Sequence, residues 1–121
     1  MTRNVEIAEK LYQADKTGEP IEQITKVYEG LTVDDAYEIQ LLNVDKKLAE
    51  GNVITGKKIG LTSLAMQESL GVDTPDFGFL YDSMEIENNT VKKDEILQPR
   101  VEGELAFILK DDLKDGATIE D

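Results

Sequence analysis

Two glutamates separated by one glycine, Glu102 and Glu104, are the residues whose type and spacing most clearly suggest chemistry. The β-branched and aromatic residues around them predict a β-strand over 101–109. Alternate strand residues share a face, so the two carboxylates would lie about 6.6 Å apart. Ala106 and Ile108 continue that face, which we expect to run into protein. A divalent cation relieves the repulsion of such a pair, and oxygen ligands suit Mg²⁺ or Mn²⁺. Ordinary solvated glutamates on a wet strand face are the alternative.

A pair of lysines, Lys57 and Lys58, interrupts an otherwise apolar predicted strand over 53–61. Alternation places the two side chains on opposite faces of that strand. A lysine on a buried face has a lowered pKa and acts as an acid or base, or it holds a carboxylate. The alternative is an edge strand that its lysines protect from aggregation.

A third candidate is Asp76, in the turn-rich segment 72–78. An aspartate in a loop beside a metal site is a candidate base or substrate contact. Asp, Pro and Gly at these positions also form turns for purely local reasons, which is the simpler interpretation of the segment.

Composition excludes several other kinds of site. The 121 residues include 13 Lys and Arg against 26 Asp and Glu, a net charge of −13, and they contain no His and no Cys. A Ser-His-Asp or Cys-His centre, a zinc site of His or Cys ligands and a disulfide are therefore impossible within the chain. The acidic balance argues against nucleic-acid binding. No stretch approaches the ~20 apolar residues of a membrane span, so we expect no membrane association and a cytoplasmic protein.

The order of predicted elements, helices first and strands afterwards, indicates the α+β class. Apolar spacing predicts a first helix that Gly18 ends, and Pro20 suits the start of a short second helix. Thr32 and Asp35 form a capping-box-like start to a third helix that ends at Gly51. Its apolar stripe comprises Val33, Ala36, Tyr37, Gln40, Leu41, Val44 and Leu48. Farther along, Ser63 caps a short helix that ends at Gly71, and an apolar run at 79–81 follows.

Taken in order, these segments resemble the 2-keto-4-pentenoate hydratase (2-hydroxypenta-2,4-dienoate hydratase) family of the fumarylacetoacetate hydrolase superfamily. The residues that carry the resemblance are 56–63 (GKKIGLTS), Gln67, 70–78 (LGVDTPDFG) and 98–107 (QPRVEGELAF), with 36–40 (AYEIQ) and Asn43-Val44 in the long helix. Gly103 departs from the family, which usually carries a larger residue between the two glutamates.

The resemblance implies an enzyme of aromatic meta-cleavage that hydrates 2-hydroxypenta-2,4-dienoate to 4-hydroxy-2-oxopentanoate with Mg²⁺ or Mn²⁺. It implies that Glu102 and Glu104 are metal ligands and that the third carboxylate ligand lies beyond the end of the chain. It further implies the site residues Lys58 and Asp76 as catalytic, and Thr62 and Ser63 as substrate-binding. The resemblance implies a homo-oligomer, alone or assembled with a related decarboxylase.

The same resemblance implies a fold of N-terminal helices, residues 1–51, followed by the first strands of a fumarylacetoacetate-hydrolase-like mixed β-roll, residues 52–121. Because family members are longer, we expect either a fragment of a hydratase or the product of a shortened gene. Two alternatives stay open: a 4-oxalocrotonate (2-oxo-3-hexenedioate) decarboxylase of the same family, and a non-catalytic remnant or partner-binding subunit.

Overall fold

Residues 2–120 are described by a computed structural model, which confirms the α+β class. Its elements are α1 (Arg3–Thr17), α2 (Ile24–Val27), α3 (Val33–Ala49), β1 (Ile54–Gly60), α4 (Leu64–Leu70) and β2 (Asp76–Tyr81), followed by three 3₁₀ turns at Asp82–Met84, Glu87–Asn89 and Lys93–Glu95. No helix within this described part of the chain combines the length and apolar character that crossing a bilayer requires.

Helix α1 follows from its end signals and its apolar spacing. The hydroxyl of Thr2 accepts a hydrogen bond from the Val5 N–H at 3.4 Å, and Gly18 ends the helix with a φ of 69°. Glycine adopts this left-handed conformation without a steric penalty, so the predicted stop at Gly18 is confirmed. The helix buries Ile7 and Ala8 against α3.

The short second helix begins at Ile24, so the predicted start at Pro20 is wrong. The backbone reaches the helix through an extended Gln23, with a ψ of 122°. The physical reason is packing: Ile24 and Tyr28 join the apolar core, whereas Ile21 stays 42% exposed and gives residues 20–23 nothing to bury.

Helix α3 begins with the predicted capping box. The Thr32 hydroxyl accepts from the Asp35 N–H at 3.1 Å, and the Asp35 carboxylate accepts from the Thr32 N–H at 2.9 Å. Ile39 of this helix packs with Ile7 and Ala8 of α1 to form the centre of the core. Exposed ion pairs between the two helices add little to this packing energy.

Strands β1 and β2 form an antiparallel hairpin around α4. The register pairs Lys58 with Gly78 and Gly60 with Asp76. The loop prediction for Asp76 is therefore wrong, because β2 already begins at this residue. The reason is long-range: Asp76 pairs across the hairpin with Gly60, whose missing side chain leaves space for the Asp76 carboxylate.

The predicted strand over 101–109 is also wrong for the described chain: this segment pairs with neither strand of the hairpin. Ile108, which was expected to continue the glutamate face into protein, is 99% exposed, so that expectation is wrong too. A strand is stable only when neighbouring strands satisfy its backbone, and residues 2–120 place no neighbour beside this segment.

Candidate active site

One cleft, with a volume of about 620 Å³, opens beside the hairpin. Its walls come from β1, β2, the start of α4 and the segment that carries the two glutamates. All six predicted site residues line it: Lys58, Thr62, Ser63, Asp76, Glu102 and Glu104. The structure thus gathers residues that are up to 46 positions apart in the sequence.

Lys58 lies at the centre of the polar wall. Its Nζ is 2.9 Å from Glu104 Oε1 and 3.4 Å from Glu102 Oε2, so both carboxylates converge on one ammonium group. Its cross-strand neighbour, Gly78, has no side chain to obstruct it. Lys57 points to the other face, as alternation predicts, with its Nζ 5.9 Å from the Phe77 ring centre.

These contacts keep the lysine and one glutamate charged. The hydrogen bond from Lys58 lowers the pKa of Glu104, and the bond to Glu104 is the largest cause that raises the pKa of Lys58. All three side chains are about half exposed, and the partial burial of Lys58, which lowers its pKa, is outweighed by its hydrogen bond to Glu104. The low lysine pKa expected of a buried face is therefore wrong here. The alternative that Lys58 holds a carboxylate agrees with the geometry.

Asp76 stands opposite Gly60 at the end of the hairpin. A Cβ atom at position 60 would overlap the Asp76 carboxylate, so the side chain occupies space that only glycine leaves free. The next residue, Phe77, is fixed from α3: its ring stacks on Tyr37 at 5.0 Å, and its carbonyl accepts from Gln40 Nε2 at 3.0 Å.

Gln40 also lines the cleft, and sequence reasoning assigned no site role to its helix. The sequence did contain a sign of this role, because Gln40 is a polar carboxamide within the apolar stripe of α3. Such a residue is costly to bury unless it is hydrogen-bonded, which points to a specific partner. Here the partner is the backbone that follows Asp76.

Thr62 and Ser63 enter the cleft wall from the turn between β1 and α4. Leu61, which precedes them, has a φ of 54°, in the left-handed region. Its carbonyl accepts a hydrogen bond from Gln67 Nε2 at 2.6 Å. The Ser63 hydroxyl in turn caps α4 by accepting from the Met66 N–H.

The donor set fits a hard divalent cation. Two carboxylates already converge on one cationic atom, Lys58 Nζ, and carboxylate oxygens are ligands that Mg²⁺ accepts. Within residues 2–120, the acidic side chains nowhere form a group of three suited to a metal. In the described part of the chain, Glu102 and Glu104 are the two carboxylates that would be available to such an ion at this cleft.

No protein-family model matches the chain, but individual proteins do. It is 43% identical over 109 residues to a 2-keto-4-pentenoate hydratase from Paraburkholderia xenovorans, covering 89% of this chain and 40% of that protein. A 2-hydroxypent-2,4-dienoate hydratase from Pseudomonas putida is 44% identical over 110 residues, with 89% and 50% covered. A 2-oxo-hept-4-ene-1,7-dioate hydratase from Escherichia coli is 43% identical over 109 residues, with 89% and 41% covered.

Among solved structures, the chain is similar to the 4-oxalocrotonate decarboxylase from Pseudomonas putida G7. The TM-score is 0.65 at 38% identity, covering 69% of this chain and 32% of that one. That enzyme was solved with magnesium and adipate, and also with calcium and acetate.

The chain spans 40–50% of the length of these three hydratases. Its similarity to them extends over about nine tenths of its own residues, and includes both the helices and the segments that line the cleft. The chain is therefore a relative of the 2-keto-4-pentenoate hydratases, and it corresponds to the amino-terminal half of these enzymes.

Proposed function

We propose that this chain forms the metal-binding and substrate-binding part of a hydratase that adds water to 2-hydroxypenta-2,4-dienoate, giving 4-hydroxy-2-oxopentanoate in aromatic meta-cleavage catabolism. The observation that carries the proposal is the convergence of Lys58, Glu102 and Glu104 in the cleft that Asp76 also lines. The identity of 43–44% to hydratases supports the reaction type.

In this proposal, Glu102 and Glu104 hold Mg²⁺, the metal present with the similar decarboxylase. When bound, the ion supplies a Lewis acid for the 2-oxo and carboxylate oxygens of the substrate. Lys58 supplies a fixed positive charge beside the same oxygens, because its ammonium stays protonated. Such a charge stabilises the oxyanion that develops as the dienol becomes a ketone.

Proton transfer then falls to the remaining polar side chains of the cleft. Ketonisation moves a proton from the 2-hydroxyl to C5, and hydration adds hydroxide at C4 and a proton at C3, so one water is consumed. Asp76 is the carboxylate we assign to proton transfer, as general base and acid. Thr62 and Ser63, which also line the cleft, supply hydroxyl donors for the substrate carboxylate.

The finer fold belongs to the same proposal. Residues 1–51 form the helical region, and residues 52–121 form the beginning of a mixed β-roll of the fumarylacetoacetate-hydrolase type. The segment 101–109, which pairs with no strand, supports this assignment, because its exposed apolar side chains suit a strand that pairs with further strands. Assembly of several copies would be one source of such neighbours.

Metal binding is the first test. Mn²⁺ or Mg²⁺ is titrated calorimetrically into the chain and into the Glu102→Gln/Glu104→Gln variant, which should lose the binding heat. The chain offers a matched control in Glu85→Gln/Glu87→Gln, which has the same spacing and charge change outside the cleft. Equal binding by all three proteins contradicts the metal assignment.

Turnover is the second test, measured on the complete gene product as loss of 2-hydroxypenta-2,4-dienoate absorbance with Mg²⁺ present. We expect hydration that Lys58→Met and Asp76→Asn abolish. Metal binding without turnover would favour a partner-binding subunit without its own activity.

Decarboxylation is the second candidate reaction, and the structural similarity to 4-oxalocrotonate decarboxylase favours it. Release of CO₂ from 2-oxo-3-hexenedioate, measured directly, distinguishes it from hydration. We expect no release, because the sequence relatives are named for hydration.

A further inference from the structure

Leu61 adopts a backbone conformation that is sterically unfavourable for leucine. Its φ of 54° lies in the left-handed region, where the Cβ of a bulky residue crowds the following carbonyl. It does so where β1 ends and the cleft wall begins, directly before Thr62 and Ser63. Strained conformations of this kind persist only where surrounding contacts hold them.

Gln67 supplies those contacts. Its Nε2 donates to the Leu61 carbonyl at 2.6 Å, and its backbone N–H donates to the Ser63 carbonyl at 3.0 Å. The side chain of Gln67 is only 7% exposed, although its helix is just seven residues long. If the side chain served packing alone, an apolar residue would do as well, because a buried carboxamide is costly unless it is hydrogen-bonded. The bond to Leu61 is what glutamine adds.

We infer that Gln67 is a positioning residue of the cleft. Its two hydrogen bonds hold both ends of the turn 61–63. They keep the Leu61 backbone left-handed and thereby fix the positions of Thr62 and Ser63 in the cleft wall. The inference rests on the proposed function in one respect: Thr62 and Ser63 are taken as substrate-binding residues. Gln67 itself does not line the cleft, so it acts through the turn and not by contact with substrate.

The structural test uses NMR on the full chain. A positive φ gives a strong intraresidue NOE between the amide and α protons, and we expect this signal at Leu61. Gln67→Leu, which keeps the size but loses the donor, should abolish it. Adding Leu61→Gly to that variant should remove the steric cost of the left-handed conformation at position 61, because glycine enters that region without strain. The signal persisting at Leu61 in Gln67→Leu overturns the inference.

Two further variants keep the test decisive. If Gln67→Leu does not fold, Gln67→Glu is used, because it replaces the amide donor by a carboxylate of the same shape. The Leu61 NOE in this variant is interpreted in the same way. Asn52→Leu is the matched control, because the Asn52 carboxamide also donates to a backbone carbonyl, that of Lys47 at 2.9 Å, away from the cleft. It should leave the Leu61 signal unchanged.

The kinetic arm measures hydration of 2-hydroxypenta-2,4-dienoate with Mg²⁺. Gln67→Leu should raise KM more than it lowers kcat, and reduce kcat/KM by about tenfold to a hundredfold, as displaced positioning groups do. The double variant with Leu61→Gly should recover part of this loss. An unchanged KM despite a lost NOE overturns the role in substrate positioning. Absence of turnover in the unmodified protein contradicts the proposed function instead, and the NMR result still decides the role of Gln67.

Discussion

Lys58 and Glu104 are 46 residues apart in sequence, yet Lys58 Nζ donates to Glu104 Oε1 at 2.9 Å. This ion pair and its weaker partner at Glu102 are the polar contacts that join segment 101–109 to the hairpin in the described chain. The ammonium therefore lies beside the two carboxylates that we propose as metal ligands. A metal ion held there would share one electrostatic environment with Lys58, and the predictions for the site follow from that relationship.

Replacement of Lys58 should affect metal binding and catalysis in opposite directions. Lys58→Met removes a cation that repels Mn²⁺ from the same carboxylates, so the affinity of the chain for Mn²⁺ should rise about two- to fivefold, a small effect because the groups are exposed. Turnover should be lost, since the charge that stabilises the oxyanion is gone. Free Mn²⁺ measured by EPR reports the affinity. Lys57→Met is the matched control: it makes the same change in net charge on the opposite strand face. Equal gains in the two variants would show a general charge effect and no specific site.

Gly60 should be intolerant of even a methyl group. In Gly60→Ala the added Cβ overlaps the Asp76 carboxylate, which must rotate away from its position at the end of the hairpin. We expect turnover to fall by about tenfold to a hundredfold while the chain stays folded. Gly56→Ala in the same strand is the control, because its Cβ would meet only the Leu80 side chain, at an ordinary 3.7 Å from Cδ1 and 4.0 Å from Cβ. Steady-state rates with circular dichroism of both variants check the prediction, and equal rates contradict it.

The sequence was informative wherever structure depends on near neighbours. Thr32 and Ser63 cap their helices, and Gly18 and Gly71 end theirs, as predicted, because a cap is formed by residues within one helical turn. The first strand was predicted from its β-forming residues, but the hairpin was not, because the start of β2 at Asp76 depends on cross-strand pairing.

Long-range relationships could not be derived from spacing. The segment 101–109 has the composition of a strand, but strand formation requires a partner, which residues 2–120 do not supply. The meeting of Lys58 with Glu104 followed only from resemblance to a family, since nothing local relates the two positions. Gln40 shows an intermediate case, because a polar residue in an apolar stripe predicts a partner without saying which one.

The capping box of α3 should contribute measurably to stability. Thr32→Ala removes the hydroxyl that accepts from the Asp35 N–H at 3.1 Å, and should lower the free energy of unfolding by about 1 kcal/mol. Thr17→Ala, the same substitution at the exposed end of α1, should change it by less than about 0.5 kcal/mol. Urea unfolding measures both. An equal loss in the two variants would mean that the cap contributes nothing specific.

Asp35 should make the chain sensitive to acid. Hydrogen bonds from Asn4, from the Thr32 backbone and hydroxyl, and from Arg3 hold the pKa of Asp35 well below its ordinary value of 3.8. Since the folded pKa is lowered, this stabilisation is fully present above pH 3.8 and is lost as the pH falls below it. Asp35→Asn should therefore unfold with a weaker dependence on pH in that range. The adjacent Asp34→Asn makes the same charge change outside the capping box and should keep the dependence. Urea midpoints at several acidic pH values provide the measurement.

Phe107 should contribute almost nothing to the stability of this chain, although it is one of its largest apolar residues. Its side chain is 84% exposed, so Phe107→Ala removes few packing contacts and should change the free energy of unfolding by less than about 0.5 kcal/mol. Ile7 is fully buried between α1 and α3, and Ile7→Ala should cost about 2–5 kcal/mol, because it leaves a cavity in the core.

The difference in stability cost between Phe107→Ala and Ile7→Ala should shrink if segment 101–109 pairs with a neighbouring strand. Burial of Phe107 would then contribute hydrophobic stabilisation in proportion to the apolar area covered. Urea unfolding of Phe107→Ala, measured at low and high protein concentration, separates the two states. A cost that appears only at high concentration would show that copies of the chain bury this segment, whereas a cost comparable to that of Ile7→Ala at every concentration would contradict its exposure.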